Sequence, residues 1–191
     1  MLFFKVTIEN QYHLKKGGQF IFVSNHFSYL DIPVLGLIPF DLVFIGKSSL
    51  AKVPLFGYMF KNLHIAVNRD SMKSRGESIL KARKALDEGA SVVFFPEGGI
   101  SSHSPPAMAR FKDGAFKLAL DKQIPIIPVT LSYNHLILPD DGKFLLRYKP
   151  VKVVIHEPIA VEGCGANDVK ELKRKCFAII QDQLDKDNAQ N

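Results

Sequence analysis

The chain has 191 residues, enough for one domain with a sizeable core and too few to argue for two. Its 47% apolar and 23% charged residues are ordinary for a globular protein, and we find no internal repeat or low-complexity segment. The formal net charge of +6 is compatible with nucleic acid, anionic lipid or a phosphorylated substrate, but no arginine-rich arm, zinc-ligand spacing or aromatic RNA-binding pattern supports nucleic acid.

The cysteines and the apolar stretches indicate an environment without disulfides and a chain that does not cross a membrane. Cys164 and Cys176 show no Cys-x-x-Cys spacing, which favours reduced thiols in a cytoplasmic setting over a metal site or a disulfide framework. Residues 1–5 lack the sustained apolar core of a secretory signal. The most apolar stretch, residues 32–45, is broken by two prolines and an aspartate and falls short of the roughly 20 residues that span a bilayer.

The predicted elements alternate between strands and helices along the chain. Strands are predicted at residues 1–9, as an edge strand, and at 18–23, 42–45, 64–67, 90–95 and 126–131. Helices are predicted at residues 30–37, 50–60, 71–88, 114–122 and 167–184. This alternation predicts a single α/β domain, residues 1–191, with a mostly parallel or mixed central sheet flanked by helices.

The end of the chain departs from this alternation. Residues 143–148 and 151–156 are two extended runs separated by Lys149-Pro150, which predicts mixed or antiparallel strands at the edge of the sheet. The tail at residues 185–191 is polar and is predicted to fray.

Two of these elements carry detailed expectations. In helix 71–88, Ser74 followed by Glu77 is a capping-box pattern, and the apolar residues Ile79, Ala82 and Leu86 fall on one stripe. The cations of this helix, which we expect on a solvated face, are Lys73, Arg75, Lys81, Arg83 and Lys84. Strand 90–95 is apolar without alternation, which predicts a strand covered on both sides.

A histidine and a carboxylate stand at the turn that follows strand 18–23. His26 and Asp31 are five positions apart, so on a continuous helix they would diverge by roughly 140°. A strand, turn and helix lets them meet, and Asp31 would then fix one ring nitrogen as N–H and leave the other as a base. Two alternatives stay open: Asp31 caps the helix, or His26 is a satisfied histidine at a strand end.

Further polar residues follow other predicted strands. Arg69 follows strand 64–67, and Glu97 and Gly98 follow strand 90–95. Because sites in α/β sheets form where the carboxyl ends of strands converge, we expect these residues near His26.

Four blocks in the right order resemble the glycerolipid acyltransferases, the family that includes 1-acylglycerol-3-phosphate acyltransferase. The matching blocks are Ser24-Asn25-His26-Phe27-Ser28-Tyr29-Leu30-Asp31, Gly46-Lys47 through Asn68-Arg69-Asp70, Phe94-Phe95-Pro96-Glu97-Gly98, and Ile124-Pro125-Ile126-Ile127-Pro128-Val129. They lie within residues 20–131. The resemblance implies a glycerol-3-phosphate acyltransferase-like fold and direct acyl transfer from a thioester to an alcohol.

The roles that the resemblance implies fall on a small set of residues. His26 and Asp31 would be catalytic, and a lysophospholipid acceptor would contact Asn25, Ser28, Arg69, Glu97, Gly98, Arg110 and Lys112. No Gly-x-Ser-x-Gly motif occurs and neither cysteine lies near a block, which disfavours an acyl-enzyme route. The acyl donor would be acyl-CoA or acyl carrier protein, with no cofactor and no metal.

The chain departs from the family pattern after Gly98. Gly99 and Ile100 stand where the family usually has threonine and arginine, so one phosphate-binding cation is missing, and Arg110 or Lys112 is the candidate substitute. The acceptor would then be lysophosphatidic acid or another lysolipid. Arg69 has an alternative as a surface partner of Asp70, and Glu97 as a structural partner of an arginine.

The resemblance places the protein at the cytoplasmic side of a membrane as a peripheral protein. Contact with lipid would come from apolar residues within 50–60, from basic patches or from a partner, and the chain is compatible with a truncated form that lacks an N-terminal anchor. Two competing hypotheses are an acyl thioesterase, in which water replaces the alcohol, and a non-catalytic lipid-binding protein of the same fold.

Overall fold

The computed structural model describes residues 5–10, 17–48, 63–68, 70–100, 105–143 and 145–189. Its strands are β1 (Val6–Asn10), β2 (Ile21–Ser24), β3 (Leu42–Lys47), β4 (Ile65–Val67), β5 (Ser91–Phe94), β6 (Ile126–Leu131) and β7 (Val151–Ile155). Its helices are α1 (Asp31–Leu35), α2 (Met72–Asp87), α3 (Gly114–Lys122), α4 (Asn134–Ile137) and α5 (Val169–Asn188), with a 3₁₀ turn at Ala166–Asp168. The predicted helix at residues 50–60 lies outside the described residues.

In the described part of the chain the strands form one seven-stranded sheet in the order β1-β7-β6-β2-β5-β3-β4. The five strands from β6 to β4 run parallel, so they end at the same edge of the sheet, which we call the carboxyl edge. Strand β7 is antiparallel to β6, and β1 pairs with β7 in parallel. The predicted α/β class with a mixed sheet is confirmed.

The middle of the sheet is buried on both faces. Along β2, Ile21 and Val23 belong to one apolar cluster and Phe22 to the other, because successive side chains of a strand point to opposite faces. The first cluster packs the sheet against α2, α3 and α5, and the second packs it against α1. Burying each such side chain stabilises the fold by roughly 1.5–3 kcal/mol, so the central strands give the carboxyl edge a rigid base.

Helix α2 starts one turn earlier than the capping pattern predicts. Its N-cap is Ser71, whose hydroxyl oxygen accepts a hydrogen bond from the Ser74 N–H at 3.2 Å. The Ser74 hydroxyl instead accepts from the Asn68 N–H at 2.9 Å. The predicted box at Ser74 and Glu77 is therefore wrong, because Ser71 satisfies the same helix terminus first.

The predicted strand at residues 143–148 is also wrong. Residues 145–150 are exposed and carry no regular secondary structure. Strand β7 pairs on its outer side with β1, through Val6 opposite Val151, so β1 occupies the sheet edge where the second strand was expected. The edge position predicted for the first strand is observed for β1.

The predicted fraying from Asp185 does not occur in the described residues, since α5 continues to Asn188. Asp187 is buried, and its carboxylate accepts hydrogen bonds from Ser132, Lys152 and Gln183 at 2.5, 3.0 and 2.9 Å. A polar sequence was mistaken for a solvated one, because the partners of Asp187 come from β7 and from the residue after β6. Among the described helices, none is long and apolar enough to cross a bilayer.

Candidate active site

The turn that leaves β2 brings His26 and Asp31 into contact. Strand β2 ends at Ser24 and α1 begins at Asp31, and within this turn the His26 Nδ1 lies 2.9 Å from the Asp31 Oδ2. Both side chains are buried. Because a carboxylate only accepts, Nδ1 carries the proton and Nε2 is left as the basic nitrogen.

The Asp31 carboxylate is fixed by further N–H groups. Oδ2 also accepts from the backbone N–H groups of Phe27 and Ser28, at 2.8 and 2.9 Å. Oδ1 accepts from the Asn134 side-chain amide at 2.9 Å. The carboxylate points back into the turn, while the N-cap of α1 is Leu30 without a side-chain cap bond, so Asp31 does not act as a helix cap.

Glu97 ties three segments of the site together. It is buried, its Oε1 accepts from the His26 N–H at 2.8 Å, and its Oε2 accepts from the Ala109 N–H at 2.8 Å. The residue before this turn, Phe95, lies against the His26 ring with centroids 4.2 Å apart and 24° between the planes. The turn after β5 therefore holds both the backbone and the ring plane of His26.

Asn25 and Ser28 anchor the turn to neighbouring segments of the fold. Both are fully buried. The Asn25 amide donates to the Leu131 carbonyl at 3.0 Å and accepts from the Leu131 N–H at 2.9 Å, so it joins the turn to the end of β6. The Ser28 hydroxyl donates to the Leu138 carbonyl at 2.7 Å. These contacts favour positioning roles over direct contact with an acceptor.

Gly98 and Lys112 lie against each other beside the site. Gly98 has a φ of +84°, and a Cβ built there would meet the end of the Lys112 side chain. The position favours glycine because of its backbone conformation, since the flexible lysine could move aside. The Lys112 N–H donates to the Pro96 carbonyl at 2.8 Å, which fixes the start of that lysine relative to the turn.

A mostly apolar cavity of about 270 Å³ opens between these residues and α2. Its lining includes Phe94, Phe95 and Pro96 on one side and Ile79 of α2 on the other, with two cations, Lys112 and Arg75. Arg75 was expected on a solvated face, and it is exposed, but it also borders this cavity. Arg110 is exposed and is not among the described lining residues, and Arg69 lies outside the described residues.

Sequence reasoning missed Asn134 and the cavity role of Arg75. Asn134 lies in α4 and is buried, and it reaches Asp31 across 103 positions of sequence. A signal was available, since the polar run at residues 132–135 follows β6 at the carboxyl edge, where His26 and Glu97 also lie.

Cys176 is not placed for thiol chemistry, and the described side chains form no cluster of metal ligands. Cys176 is buried in the core, and burial raises the pKa of its thiol far above the ordinary range. No group of three or more His, Cys, Asp or Glu side chains among the described residues is placed to hold a metal ion.

Comparison with known proteins assigns the chain to a protein family. The sequence model of the acyltransferase family matches residues 5–132, and the chain belongs to this family. It is 35% identical over 159 residues to a 1-acyl-sn-glycerol-3-phosphate acyltransferase of Chlamydomonas reinhardtii, covering 82% of this chain and 47% of that protein.

Two more similar proteins have related names. The chloroplastic 1-acyl-sn-glycerol-3-phosphate acyltransferase LPAT1 of Arabidopsis thaliana is 31% identical, over 82% of this chain and 44% of the relative. The crystal structure of the 1-acyl-sn-glycerophosphate acyltransferase PlsC of Thermotoga maritima superposes with a TM-score of 0.82 at 26% identity, over 98% of this chain and 74% of that one. The chain thus spans less than half the length of the Chlamydomonas and Arabidopsis relatives.

Proposed function

We propose that this protein transfers a fatty acyl group from a thioester to the free hydroxyl of 1-acyl-sn-glycerol-3-phosphate or a related lysophospholipid. The observation that carries the proposal is the buried contact between His26 and Asp31, with Nε2 left as a base. The names of the Chlamydomonas, Arabidopsis and Thermotoga proteins support the same acceptor class.

The proposed acyl transfer uses the unprotonated Nε2 of the His26 imidazole as a base. The acceptor hydroxyl has a pKa far above neutral, so its proton must leave as its oxygen attacks the thioester carbonyl, and the His26 Nε2 takes that proton. The tetrahedral intermediate then collapses with cleavage of the C–S bond. The thiolate leaves and receives the proton from the imidazolium, so His26 ends the turnover as it began.

Asp31 supports both states of the ring. Its Oδ2 holds the Nδ1–H in place and stabilises the positive charge that the imidazole gains during attack. Phe95 fixes the plane of the ring, so the Nε2 is aimed before the acceptor arrives. This arrangement needs no covalent enzyme intermediate, and we propose neither a cofactor nor a metal.

The cavity beside the site suits an amphiphile. Its walls are mostly apolar, and Lys112 and Arg75 supply positive charge at its border. We assign Lys112 and Arg75 to the acceptor's phosphate, in place of the arginine that the family usually has where Ile100 stands here. Arg69 remains a proposed phosphate ligand on the resemblance of its block alone.

The remaining partners are proposed at the level of class. The donor is acyl-CoA or acyl carrier protein, and the protein works at the cytoplasmic surface of a membrane, where a lysophospholipid resides. The net charge of +6 is consistent with both an anionic surface and an anionic donor.

The test is a mass-spectrometric assay of purified protein with acyl-CoA or acyl carrier protein and a panel of lysophospholipids. We expect a diacyl product with at least one pair, and on the order of 1,000-fold slower formation in His26→Ala. His64→Ala is the matched control, because His64 precedes β4 and so lies at the opposite edge of the sheet.

Two results would overturn the proposal. Release of free fatty acid with no diacyl product for any acceptor would identify a thioesterase instead. Diacyl formation that His26→Ala leaves undiminished, with circular dichroism matching the wild type, would remove His26 from the chemistry.

A further inference from the structure

The connection between β6 and β7, residues 132–150, lies at the same edge of the sheet as the proposed chemistry. Strand β7 is antiparallel to β6, with Val153 opposite Leu131, so β7 begins where β6 ends. Both ends of the connection are therefore at the carboxyl edge, next to the turn that carries His26.

The outer part of this connection exposes large apolar side chains. Leu145, Leu146 and Tyr148 are 64%, 60% and 74% exposed, within a run in which every residue from 145 to 150 is exposed. Single exposed apolar residues are common on protein surfaces, but a cluster of them marks an interaction site.

The charges interleaved with these side chains are positive. Arg147 and Lys149 alternate with the apolar residues, and Lys143 precedes them. The two acidic residues of the connection come earlier: Asp140 is hydrogen bonded to Tyr29, and the exposed Asp141 accepts from the Lys143 N–H at 3.0 Å. Residues 145–149 thus present apolar and cationic groups without an intervening carboxylate.

The connection is tied directly to the site. The Leu138 carbonyl accepts from the buried Ser28 hydroxyl at 2.7 Å, and Asp140 contacts Tyr29, which lies two positions before Asp31. Farther along, the Arg147 N–H donates to the Ile137 carbonyl at 2.8 Å. The exposed run is therefore held at a fixed place relative to His26.

We propose that residues 145–149, the docking segment, dock the protein on an anionic lipid bilayer. Leucine and tyrosine side chains suit the boundary between acyl chains and headgroups, and Arg147 and Lys149 suit anionic headgroups while their stems lie along apolar surface. This inference rests on the proposed function in one respect: a lysophospholipid acceptor resides in the bilayer, and docking here turns the carboxyl edge toward it.

The experiment measures cosedimentation of the protein with vesicles of phosphatidylcholine and phosphatidylglycerol, and with vesicles of phosphatidylcholine alone. The test variants are Leu145→Ser with Leu146→Ser, and Arg147→Gln with Lys149→Gln. The matched control is Leu63→Ser with Leu80→Ser, because these leucines are 58% and 64% exposed, close to Leu146 and Leu145, and Leu63 precedes β4 at the opposite edge of the sheet.

We expect the serine variant to bind the anionic vesicles about tenfold more weakly or worse, and the glutamine variant to lose the preference for phosphatidylglycerol. The Leu63 and Leu80 control should bind like the wild type. Equal binding by the serine variant and the wild type, or an equal loss in that control, would overturn the proposal.

Two more measurements distinguish lipid docking from the proposed function and from self-association of the chain. If the wild type transfers acyl groups, its rate is measured on acceptor embedded in vesicles and on monomeric acceptor. The serine variant should lower the ratio of the first rate to the second about tenfold, whereas His26→Ala lowers both rates together. If the wild type shows no transfer, the proposed function fails while the vesicle result still decides docking. A serine variant that converts a dimer to a monomer in sedimentation, with vesicle binding intact, would assign the segment to a second copy of the chain and refute lipid docking.

Discussion

The turn at residues 25–31 and the connection at residues 132–150 lie against each other, yet they are held in opposite ways. In the turn, Asp31 alone receives N–H groups from His26, Phe27, Ser28 and Asn134, and five of the seven residues are buried. In the outer connection, consecutive residues are exposed and one backbone hydrogen bond, from Arg147, returns to the fold. The difference shows that one edge of the sheet carries both a buried turn with fixed side-chain geometry and an exposed surface open to contact.

The largest expected effect on turnover comes from substituting Asp31, at the centre of the hydrogen-bonded turn at residues 25–31. Asp31→Asn places an amide where three N–H groups converge on one carboxylate oxygen, so at least one donor loses its acceptor or the His26 ring turns. We expect the turnover number to fall on the order of 1,000-fold or more. A turnover number within tenfold of the wild type, in a variant with native circular dichroism, would mean that the ring needs no such orientation.

A smaller effect on activity is expected at Glu97, which follows β5 and accepts a hydrogen bond from the turn that carries His26. Glu97→Gln keeps one accepting oxygen, so either His26 or Ala109 loses its acceptor. We expect kcat/KM to fall by about 10- to 100-fold and the free energy of unfolding in urea to fall by about 1–3 kcal/mol. The exposed Glu77→Gln on α2 is the control, with a change of less than about 0.5 kcal/mol.

Asn134 belongs to the connection but acts on the turn, so its substitution probes the boundary between the two regions. Asn134→Ala removes the donor to the Asp31 Oδ1, and we expect the turnover number to fall about tenfold. Asn134→Asp keeps the volume but places a second carboxylate against Asp31, and we expect at least as large a loss of turnover, because two adjacent buried carboxylates repel each other. Turnover numbers that match the wild type in both variants, in proteins with native circular dichroism, would show that Asn134 has only a packing role.

The smallest expected effect on turnover concerns the two strands that the connection joins. His156 follows β7, is buried, and lies 2.8 Å from the Thr130 hydroxyl of β6 through its Nε2. Burial lowers the pKa of His156 from 6.5 to about 4. Its folded pKa is thus below its unfolded pKa, so the unfolded chain binds the proton more readily, and stability is lost as the pH falls from 6.5 toward 4.

Urea unfolding of the wild type and of His156→Gln measures this term. From about pH 7.5 to about pH 5, the wild type should lose about 2 kcal/mol more than the variant, because glutamine takes up no proton. Turnover at neutral pH should change less than about twofold, since His156 lies level with Pro128 of β6, before the carboxyl edge that carries His26. Parallel pH dependences would place the proton uptake at another group.

How much of this the sequence predicts depends on how local each feature is. Strands β5 and β6 and helix α3 follow from continuous apolar runs and helical spacing, and the contact of His26 with Asp31 spans only five positions. Asn134 depends on α4 turning a side chain back across the sheet edge, and no short-range pattern encodes that. The buried end of α5 was mistaken for a solvated tail because the partners of Asp187 lie 35 and 55 residues away.

The exposed run was predicted as a strand for a related reason. It is an extended run of mainly apolar and aromatic residues bounded by Lys149-Pro150, a composition typical of a strand. In the structure, β1 occupies the outer side of β7, and residues 145–150 stay outside the sheet with their apolar side chains at the surface. Composition indicates an extended apolar segment, and the fold decides whether that segment pairs with a strand or remains exposed.

The reversed direction of β7 has one more consequence. A parallel seventh strand would need a crossover of a dozen or more residues to reach the opposite edge before it could begin. The antiparallel strand lets the chain leave and re-enter the sheet at one place, so residues 145–149 can change in composition while the register of β6 with β7 and the contacts of Asn134 and Leu138 are preserved. On the proposed docking role, exchange of residues 145–149 between homologues should change which lipid surface the protein prefers and leave the surroundings of His26 in place.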